Sequence, residues 1–416
     1  MNKKTINRTF ACVAIVGTLL TMAPLQAFAD NGVITKTRLY GSDRIETAIA
    51  VANAGWTTAD TAILAPSADA NLVDALAAAP LAGKTSPILL TENDSLNVNT
   101  AAELRKLSVT KVFVVGAINQ SVVDQLTEMG ITPTVLKGAE RTATAAAIAS
   151  KLTNPAGSFV VGYNALADAL SVASYAAANN YSILVANPDG SLPASEVPYE
   201  GADINIIGGP TLVKDINGAR RIYGADRFDT NQAVLNALNY QYNNAYVANG
   251  TDSHLVDALV SSSLAAQSDA PIVLSDTNGS AALNDVYSKL AINALVTGLG
   301  GDTVVPDTVL AQVTMGTQLI TANDAVTKAE KSKLQSDTTA AQALVTALPD
   351  SIAKTALQAR LNTLVALETA TAAVVKAESS QLQTDVTEAQ TLVTALLDTV
   401  DKTALQNRLN AIVVKQ

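Results

Sequence analysis

An arginine recurs at the same point of three similar segments, directly before apolar residues with helical spacing. These arginines are Arg44, Arg141 and Arg227. A guanidinium group presents forked N–H donors that match the oxygen atoms of phosphate and carboxylate groups. If the segments fold alike and pack around a common axis, the three arginines can jointly bind one anionic polymer. The alternative is that each arginine forms an ion pair inside its own segment.

Three aspartates are the natural partners for such internal ion pairs. Each follows its arginine by 27 to 30 residues, within the repeated sequence Leu-x-Asp-Ala-Leu, and they are Asp74, Asp168 and Asp257. A buried pair within one segment would tie its first helix to its second and would have a structural role. Because constant spacing agrees with both interpretations, the sequence leaves ligand binding and internal pairing open.

Aromatic and basic residues surround a repeated glycine just before these arginines. Tyr40 and Tyr223 precede the glycine directly, and Arg38, Arg220 and Arg221 lie beside them. A tyrosine ring can stack on the face of a sugar, although half-buried tyrosines with a tethered hydroxyl are a common structural element. The sequence therefore marks Tyr40 and Tyr223 as candidate sugar contacts and the arginines as added positive charge.

Residues suited to catalysis or metal binding are scarce. His254 is the only histidine and Cys12 the only cysteine, so we expect neither a Ser-His-Asp triad nor a metal site, and no cofactor is predicted. Asp252 and Asp257 could act as the two carboxylates of a glycosidase. That pair is the enzymatic alternative.

Four signatures in constant order make the three segments copies of one α/β module. In the first copy, helical apolar stripes alternate with short apolar runs of strand length. Continuous apolar strands between helices are typical of a parallel sheet covered on both faces. The second copy is shorter, and Pro193 and Pro198 stand where a helix is expected, which predicts a shortened helix there.

The two ends of the chain differ from the modules. A basic start, a short apolar run and Ala27-Phe28-Ala29 are typical of a signal peptide. After residue 316 there is no glycine and no aromatic residue, and two stretches recur with a shift of 48 residues, which predicts two helical hairpins. The expected domains are a signal peptide at 1–29, modules at 30–135, 136–220 and 221–315, and an all-α helical repeat tail at 316–416.

Charge and hydropathy restrict the partners. The net charge of −10 disfavours nucleic-acid binding, because an acidic surface repels a polyanion at long range. No stretch after the signal peptide approaches the roughly 20 apolar residues that a membrane span needs. The sequence therefore predicts a secreted protein that stays at a surface through non-covalent contacts.

The ordered signatures resemble those of the cell wall binding type 2 repeats (CWB2) that Gram-positive surface proteins, above all clostridial ones, carry in sets of three. The resemblance covers residues 37–312. It implies three Rossmann-like or toprim-like parallel-sheet modules in a pseudo-threefold arrangement that binds an anionic secondary cell wall polymer. The candidate polymer contacts are Arg38, Tyr40, Arg44, Arg141, Arg221, Tyr223 and Arg227.

The second copy departs from the family pattern, since Lys137 replaces the tyrosine and Glu140 replaces the aspartate of the first signature. The pattern therefore predicts polymer binding by the second copy less clearly than by the other two copies. The favoured interpretation is a non-catalytic wall anchor. The alternatives are a cell-wall hydrolase of the glycosidase type, and an adhesin or assembly scaffold whose helical tail binds a protein partner.

Overall fold

The computed structural model describes residues 34–68, 75–291, 293–348 and 352–415 of the chain. The predicted signal peptide and Asp74 lie outside these ranges. Within them, three parallel sheets with flanking helices are followed by a helical region. No helix in the described ranges is both long enough and apolar enough to cross a bilayer.

Each of the three sheets has four parallel strands in the same spatial order. The orders are β3-β2-β4-β5, β7-β6-β8-β9 and β11-β10-β12-β1. The strands are β1 (Thr35–Leu39), β2 (Thr61–Pro66), β3 (Ile88–Thr91), β4 (Lys111–Val115), β5 (Thr132–Leu136), β6 (Gly157–Val161), β7 (Tyr181–Val185), β8 (Asp203–Ile207), β9 (Arg220–Ile222), β10 (Asn244–Asn249), β11 (Ile272–Ser275) and β12 (Leu295–Leu299). Modules one, two and three are named here after the copy that supplies the first three strands of each sheet.

Helices follow most strands, as expected for parallel pairing. They are α1 (Arg44–Gly55), α2 (Ala79–Ala82), α3 (Val98–Lys106), α4 (Gln120–Glu128), α5 (Arg141–Ala149), α6 (Leu166–Asn179), α7 (Arg227–Ala237), α8 (Leu255–Gln267), α9 (Ala281–Lys289) and α10 (Asp307–Met315). This alternation confirms the predicted α/β class.

The fourth strand of each sheet comes from the start of the next copy. β5 and β9 complete modules one and two, whereas β1 completes module three by pairing with β12. Leu39 is the register partner of Leu299, so residues from opposite ends of the sheet region lie side by side. The three modules therefore form a closed ring.

The centre of the ring is built from the second helices of the modules. α2, α6 and α8 pack against one another, and α6 and α8 also contact the first helix of the following module, α7 and α1 respectively. Small residues such as Ala173 and Ala265 are fully buried there, in an apolar cluster that all three modules share. This cyclic packing is the pseudo-threefold arrangement that the family resemblance implies.

Alternating side chains bury both faces of the sheets. In module three, Ala248 and Ile272 belong to the central cluster, whereas Val247 and Val273 pack in an outer cluster with side chains of α9 and α10. Strands buried on both faces need continuous apolar sequence. The short apolar runs of the copies are therefore core strands.

Module two lacks the outer helices of its neighbours. A 3₁₀ turn at Val197–Tyr199 stands where α3 and α9 lie in the other modules, and residues 208–219 form no helix where α4 and α10 lie. The shortening predicted from Pro193 and Pro198 is confirmed, and the loss of the second helix was not predicted.

A glutamate is buried in this shortened segment. Glu196 is fully buried, and its Oε2 accepts a hydrogen bond of 2.8 Å from the N–H of Val185 in β7. Its Oε1 is buried without a hydrogen-bond partner in the described part of the chain. Burial raises the pKa of Glu196 to about 9, so this carboxyl group is protonated at neutral pH.

The helical region contains two apolar clusters that share one long helix. Its helices are α11 (Thr317–Ser332), α12 (Gln335–Ala347), α13 (Ile352–Ser380), α14 (Gln383–Ala395) and α15 (Val400–Asn410). α13 contributes Leu361 to the first cluster and Val374 to the second. Each copy therefore packs as three helices, whereas the sequence predicted hairpins, because α13 runs from one copy into the next.

Equivalent ion pairs recur in the two helical copies. Arg360 Nη2 lies 2.6 Å from Glu330 Oε2, and Arg408 Nη2 lies 2.8 Å from Glu378 Oε2. These pairs differ by the 48-residue shift seen in the sequence. The sequence repeat is therefore a repeat of the structure.

Candidate functional site

A glycine near the start of each copy lets the fourth strand approach the helix that follows. Gly41 donates its N–H to Thr47 Oγ1 at 3.0 Å, and a Cβ on Gly41 would lie 2.2 Å from the Cβ of Glu46. The same hydrogen bond joins Gly138 to Thr144 and Gly224 to Thr230. Only glycine fits this approach, which brings the residue before it and the arginine after it to the edge of the module.

The repeated arginines are the first residues of α1, α5 and α7. In each, Nη1 donates to a backbone carbonyl just beyond the first core strand of the same module. The acceptors are Ser67 for Arg44 at 2.6 Å, Tyr163 for Arg141, and Gly250 for Arg227 at 2.8 Å. One edge of each guanidinium is thus fixed to its own module at the carboxyl ends of the strands.

Each of these arginines lies where its module meets the preceding one, and these places are called junctions here. The first junction joins modules one and two and contains Lys137 and Arg141. The second joins modules two and three and contains Asp168, Tyr223 and Arg227. The third joins modules three and one and contains Asp257, Tyr40 and Arg44.

The aspartates at the second and third junctions interact with arginines of the next module. Asp168 and Asp257 lie in the first turns of α6 and α8 and are each 6% exposed. Burial raises the pKa of Asp168 to about 7 and that of Asp257 to about 6, while the charges of Arg227 and Arg44, respectively, oppose the shift. For these two aspartates, the alternative of pairing with the arginine of their own module does not describe the structure, because the arginine charge that acts on each comes from the next module.

The cyclic packing explains this arrangement. The helix that carries each aspartate packs against the first helix of the next module, since α6 contacts α7 and α8 contacts α1. Asp74 has the equivalent position in the sequence but lies outside the described residues. Sequence spacing within one copy could not reveal a partner that belongs to another copy.

Two tyrosine rings are exposed at the second and third junctions. Tyr40 is 58% exposed and Tyr223 is 52% exposed. Each ring lies over a glycine of the turn after the third strand, because a Cβ on Gly301 would be 4.0 Å from Tyr40 and one on Gly209 would be 3.8 Å from Tyr223. More than half of each tyrosine is therefore open to a ligand.

The glycine turn also brings the aspartates to these rings. Gly300 and Gly208 have φ of 97° and 112°, which favours glycine. A Cβ on Gly300 would lie 3.0 Å from Asp257 Oδ2, and one on Gly208 would lie 2.7 Å from Asp168 Oδ2. Each of these junctions thus combines an exposed ring, a guanidinium and a nearly buried carboxyl group.

Two of the candidate arginines have a structural role. Arg38 donates to the carbonyls of Gly300 and Val305 at 2.9 and 2.7 Å, and to Asp307 Oδ1 at 3.0 Å. Arg221 makes the equivalent contacts with Gly208, Val213 and Asp215. Their side chains are only 16% and 15% exposed. Arg38 and Arg221 therefore stabilise the loop after the third strand, and their contact with a polymer stays a prediction.

The first junction differs from the other two. Lys137 is exposed where they have a tyrosine. Arg141 donates to Asn164 Oδ1 at 2.6 Å, and its guanidinium lies 4.2 Å from the centroid of the Tyr163 ring. In contrast, Arg227 at the second junction pairs with the carboxylate of Asp252. Among the described residues, the first junction is thus richer in positive charge than the second.

The carboxylates considered for a glycosidase have different surroundings. The Asp252 side chain is 75% exposed and forms an ion pair with Arg227. Asp257 is buried, and the charge of Arg44 partly offsets the rise in its pKa. Among the described residues, no group of three or more His, Cys, Asp or Glu side chains could hold a metal ion.

Sequence comparison assigns the ring region to a family. Cell wall binding domain 2 (CWB2) matches residues 38–123, 135–216 and 221–310. N-acetylmuramoyl-L-alanine amidase LytC of Bacillus subtilis is 29% identical over 265 residues, which are 61% of this chain and 52% of the relative. The Amidase enhancer of the same bacterium is 29% identical over 256 residues, 59% of this chain and 35% of the relative. The chain thus spans about half or less of each relative.

Two solved structures share the fold. Cwp6 from Clostridium difficile aligns with a TM-score of 0.62 and 23% identity over 68% of this chain and 48% of that chain. Cwp8 from the same organism aligns with a TM-score of 0.61 and 29% identity over 68% of this chain and 52% of that chain.

Proposed function

Because the chain belongs to the Cell wall binding domain 2 (CWB2) family, we propose that it is a secreted, non-catalytic protein that binds an anionic polymer of a Gram-positive cell wall non-covalently. The single observation that carries this proposal is the repeated junction, in which an arginine is fixed by a backbone carbonyl at the carboxyl ends of the strands. Three such arginines on one frame present guanidinium groups to a polymer with phosphate or carboxylate groups.

The ring allows three weak contacts with one polymer to act together and so increases the avidity of binding. Three sites on one rigid frame can raise the overall affinity about 10² to 10⁴ times over a single site, provided that one polymer reaches all of them. The shared central cluster and the closing β1–β12 pair hold the three junctions in fixed relation. Modest binding at each junction is therefore sufficient.

The acidic character of the chain makes the proposed binding dependent on local charge. With a net charge of −10, the protein as a whole repels an anionic polymer, so attraction has to arise at the junctions. Added salt screens such contacts over a distance of about 10 Å at 0.1 M. We expect salt to release the protein from the wall.

The residue types in the chain support the proposal that the protein is not a catalyst. The sequence has a single histidine and a single cysteine, which is too few for the usual zinc ligand sets of hydrolases. The relative named as an amidase is matched over only 52% of its length.

Sedimentation with purified Gram-positive cell walls tests this proposal. The mature chain is expected to sediment with the walls at 50 mM NaCl and to stay in solution at 1 M NaCl. A zymogram on the same walls is expected to show no clearing. Binding that ignores salt would contradict the anionic-polymer proposal, and a cleared band that disappears in the Asp252→Asn, Asp257→Asn variant would establish the hydrolase instead.

For the helical region we propose the role of a spacer that presents a protein-binding surface. The supporting observation is a polar groove face that recurs with the 48-residue shift on α12 and α14. It consists of Gln335, Thr339, Gln342 and Thr346 on α12 and of Gln383, Thr387, Gln390 and Thr394 on α14. A repeated surface of this kind suits a partner that binds more than once.

A further inference from the structure

The three junctions carry different residues at the position that follows the fourth strand. This position holds Tyr40 at the third junction and Tyr223 at the second, both more than half exposed, and it holds the exposed Lys137 at the first. A tyrosine ring binds through its face at short range, whereas a lysine ammonium acts as a strongly hydrated point charge. The junctions therefore offer different contacts to one polymer.

The surroundings of the arginines add to this difference. Arg227 at the second junction is paired with the negatively charged Asp252, but Arg141 at the first is bonded to the neutral amide of Asn164. The ring of Tyr163, the aromatic residue near Arg141, is already covered by that guanidinium at 4.2 Å. Among the described residues, the first junction thus has more positive charge than the second, and its nearby ring is occupied.

Building on the proposed wall-binding function, we propose that the junctions divide the recognition of one polymer. At the first junction, Lys137 adds a second cation beside Arg141 for the anionic group. At the second and third junctions, Tyr223 and Tyr40 add contacts with the faces of sugar rings beside the arginines. The ligand class is a glycan whose repeating unit carries a negative group and leaves open sugar faces beside it.

The salt dependence of single variants separates these two kinds of contact. Wall binding of the mature chain is measured by sedimentation at 50 and 500 mM NaCl. Lys137→Ala is expected to weaken binding about fivefold at 50 mM and less than about twofold at 500 mM, because salt screens its charge. Tyr223→Ala is expected to weaken binding about fivefold at both concentrations, since stacking is not screened.

Two control variants keep the test specific. Lys111 is an exposed lysine at the amino end of β4, away from the junctions, and Lys111→Ala is expected to leave binding unchanged at both concentrations. Tyr223→Phe keeps the ring and is expected to bind within about twofold of the wild type. Equal salt dependence of the Lys137→Ala and Tyr223→Ala losses would overturn the division of recognition.

The source of the negative charge is distinguished on walls whose carboxylates are capped by carbodiimide and an amine. If the Lys137→Ala loss persists on capped walls, the anionic group is a phosphate, and if it disappears, the group is a carboxylate. Both results support the inference. If the wild-type chain binds no walls at all, the proposed function is contradicted. If the wild type binds but the variants lose binding with the same salt dependence, only the division of recognition is contradicted.

Discussion

The positive charge that opposes the raised pKa of Asp168 belongs to Arg227 of the following module and not to Arg141 of its own. Asp257 and Arg44 have the same relationship across the third junction. The residues that recur most regularly in the sequence therefore connect neighbouring modules. The proposed ligand contacts and the contacts between modules therefore lie at the same places in the ring.

A double-mutant cycle on Arg227→Gln and Asp168→Asn tests this connection. We expect a coupling of about 1 kcal/mol in the free energy of unfolding, moderated by the partial exposure of the arginine. Chemical denaturation of the two single variants and the double variant measures it. The matched cycle of Arg141→Gln with Asp168→Asn is expected to be additive, and a larger coupling there would restore pairing within the module.

Glu196→Gln is expected to stabilise the protein above neutral pH. The pKa of Glu196 is about 9 in the folded state and is normally near 4.5, so its contribution to stability is complete below about pH 4.5 and is lost as the pH rises through 9. Glutamine has no such loss and can still accept the N–H of Val185. At pH 8 the variant is expected to be more stable by about 2 kcal/mol or more.

Melting temperatures of both proteins between pH 5 and 9 provide the measurement for Glu196. The gap between wild type and Glu196→Gln is expected to widen as the pH rises. A constant gap would mean that the carboxyl group is ionised in the folded protein at neutral pH.

Gly224→Ala is expected to destabilise module three. A Cβ there would lie 2.3 Å from the Cβ of Asp229 and 2.6 Å from the backbone nitrogen of Thr230. Overpacking of this kind costs about 1 to 3 kcal/mol. Gly209→Ala is the matched control, because its Cβ would meet only the Tyr223 ring at 3.8 Å. Equal melting temperatures for wild type and Gly224→Ala would refute the close approach.

Deletion of residues 317–416 is expected to leave wall binding intact. The apolar clusters of the ring contain no residue beyond Val313, so the remaining chain keeps its core. Sedimentation with walls is compared before and after the deletion, and a pull-down of protein partners is expected to fail without the tail. Loss of wall binding in the deleted chain would place the wall contact in the helical region.

The sequence predicted the alternation of helices and short apolar strands in module one, and local patterns account for that. Helices at Arg44–Gly55 and Gln120–Glu128 and strands at Thr61–Pro66 and Lys111–Val115 follow the expected periods. The fourth strands were missed, because Thr35–Leu39 and Arg220–Ile222 are short and polar, without a continuous apolar run.

The site was predicted less completely than the fold. The exposed tyrosines and the fixed arginines were found from their repetition, but the roles of Arg38 and Arg221 depend on carbonyl groups about 8 to 270 residues away. The charge of Arg227 on Asp168 likewise depends on how modules meet. Arg38 and Arg221 begin the first signature in copies one and three alike, and this repetition is a signal that could have indicated a shared structural role.

The pairing of β1 with β12 also has a kinetic meaning. β1 can pair with β12 only after about 260 further residues have been synthesised, because Leu39 is in register with Leu299. Contacts between such distant parts of a chain slow folding. Until β1 pairs with β12, one edge of β12 has no neighbouring strand. We therefore expect the ring to close late in folding and as one cooperative unit, although each copy resembles an independent domain.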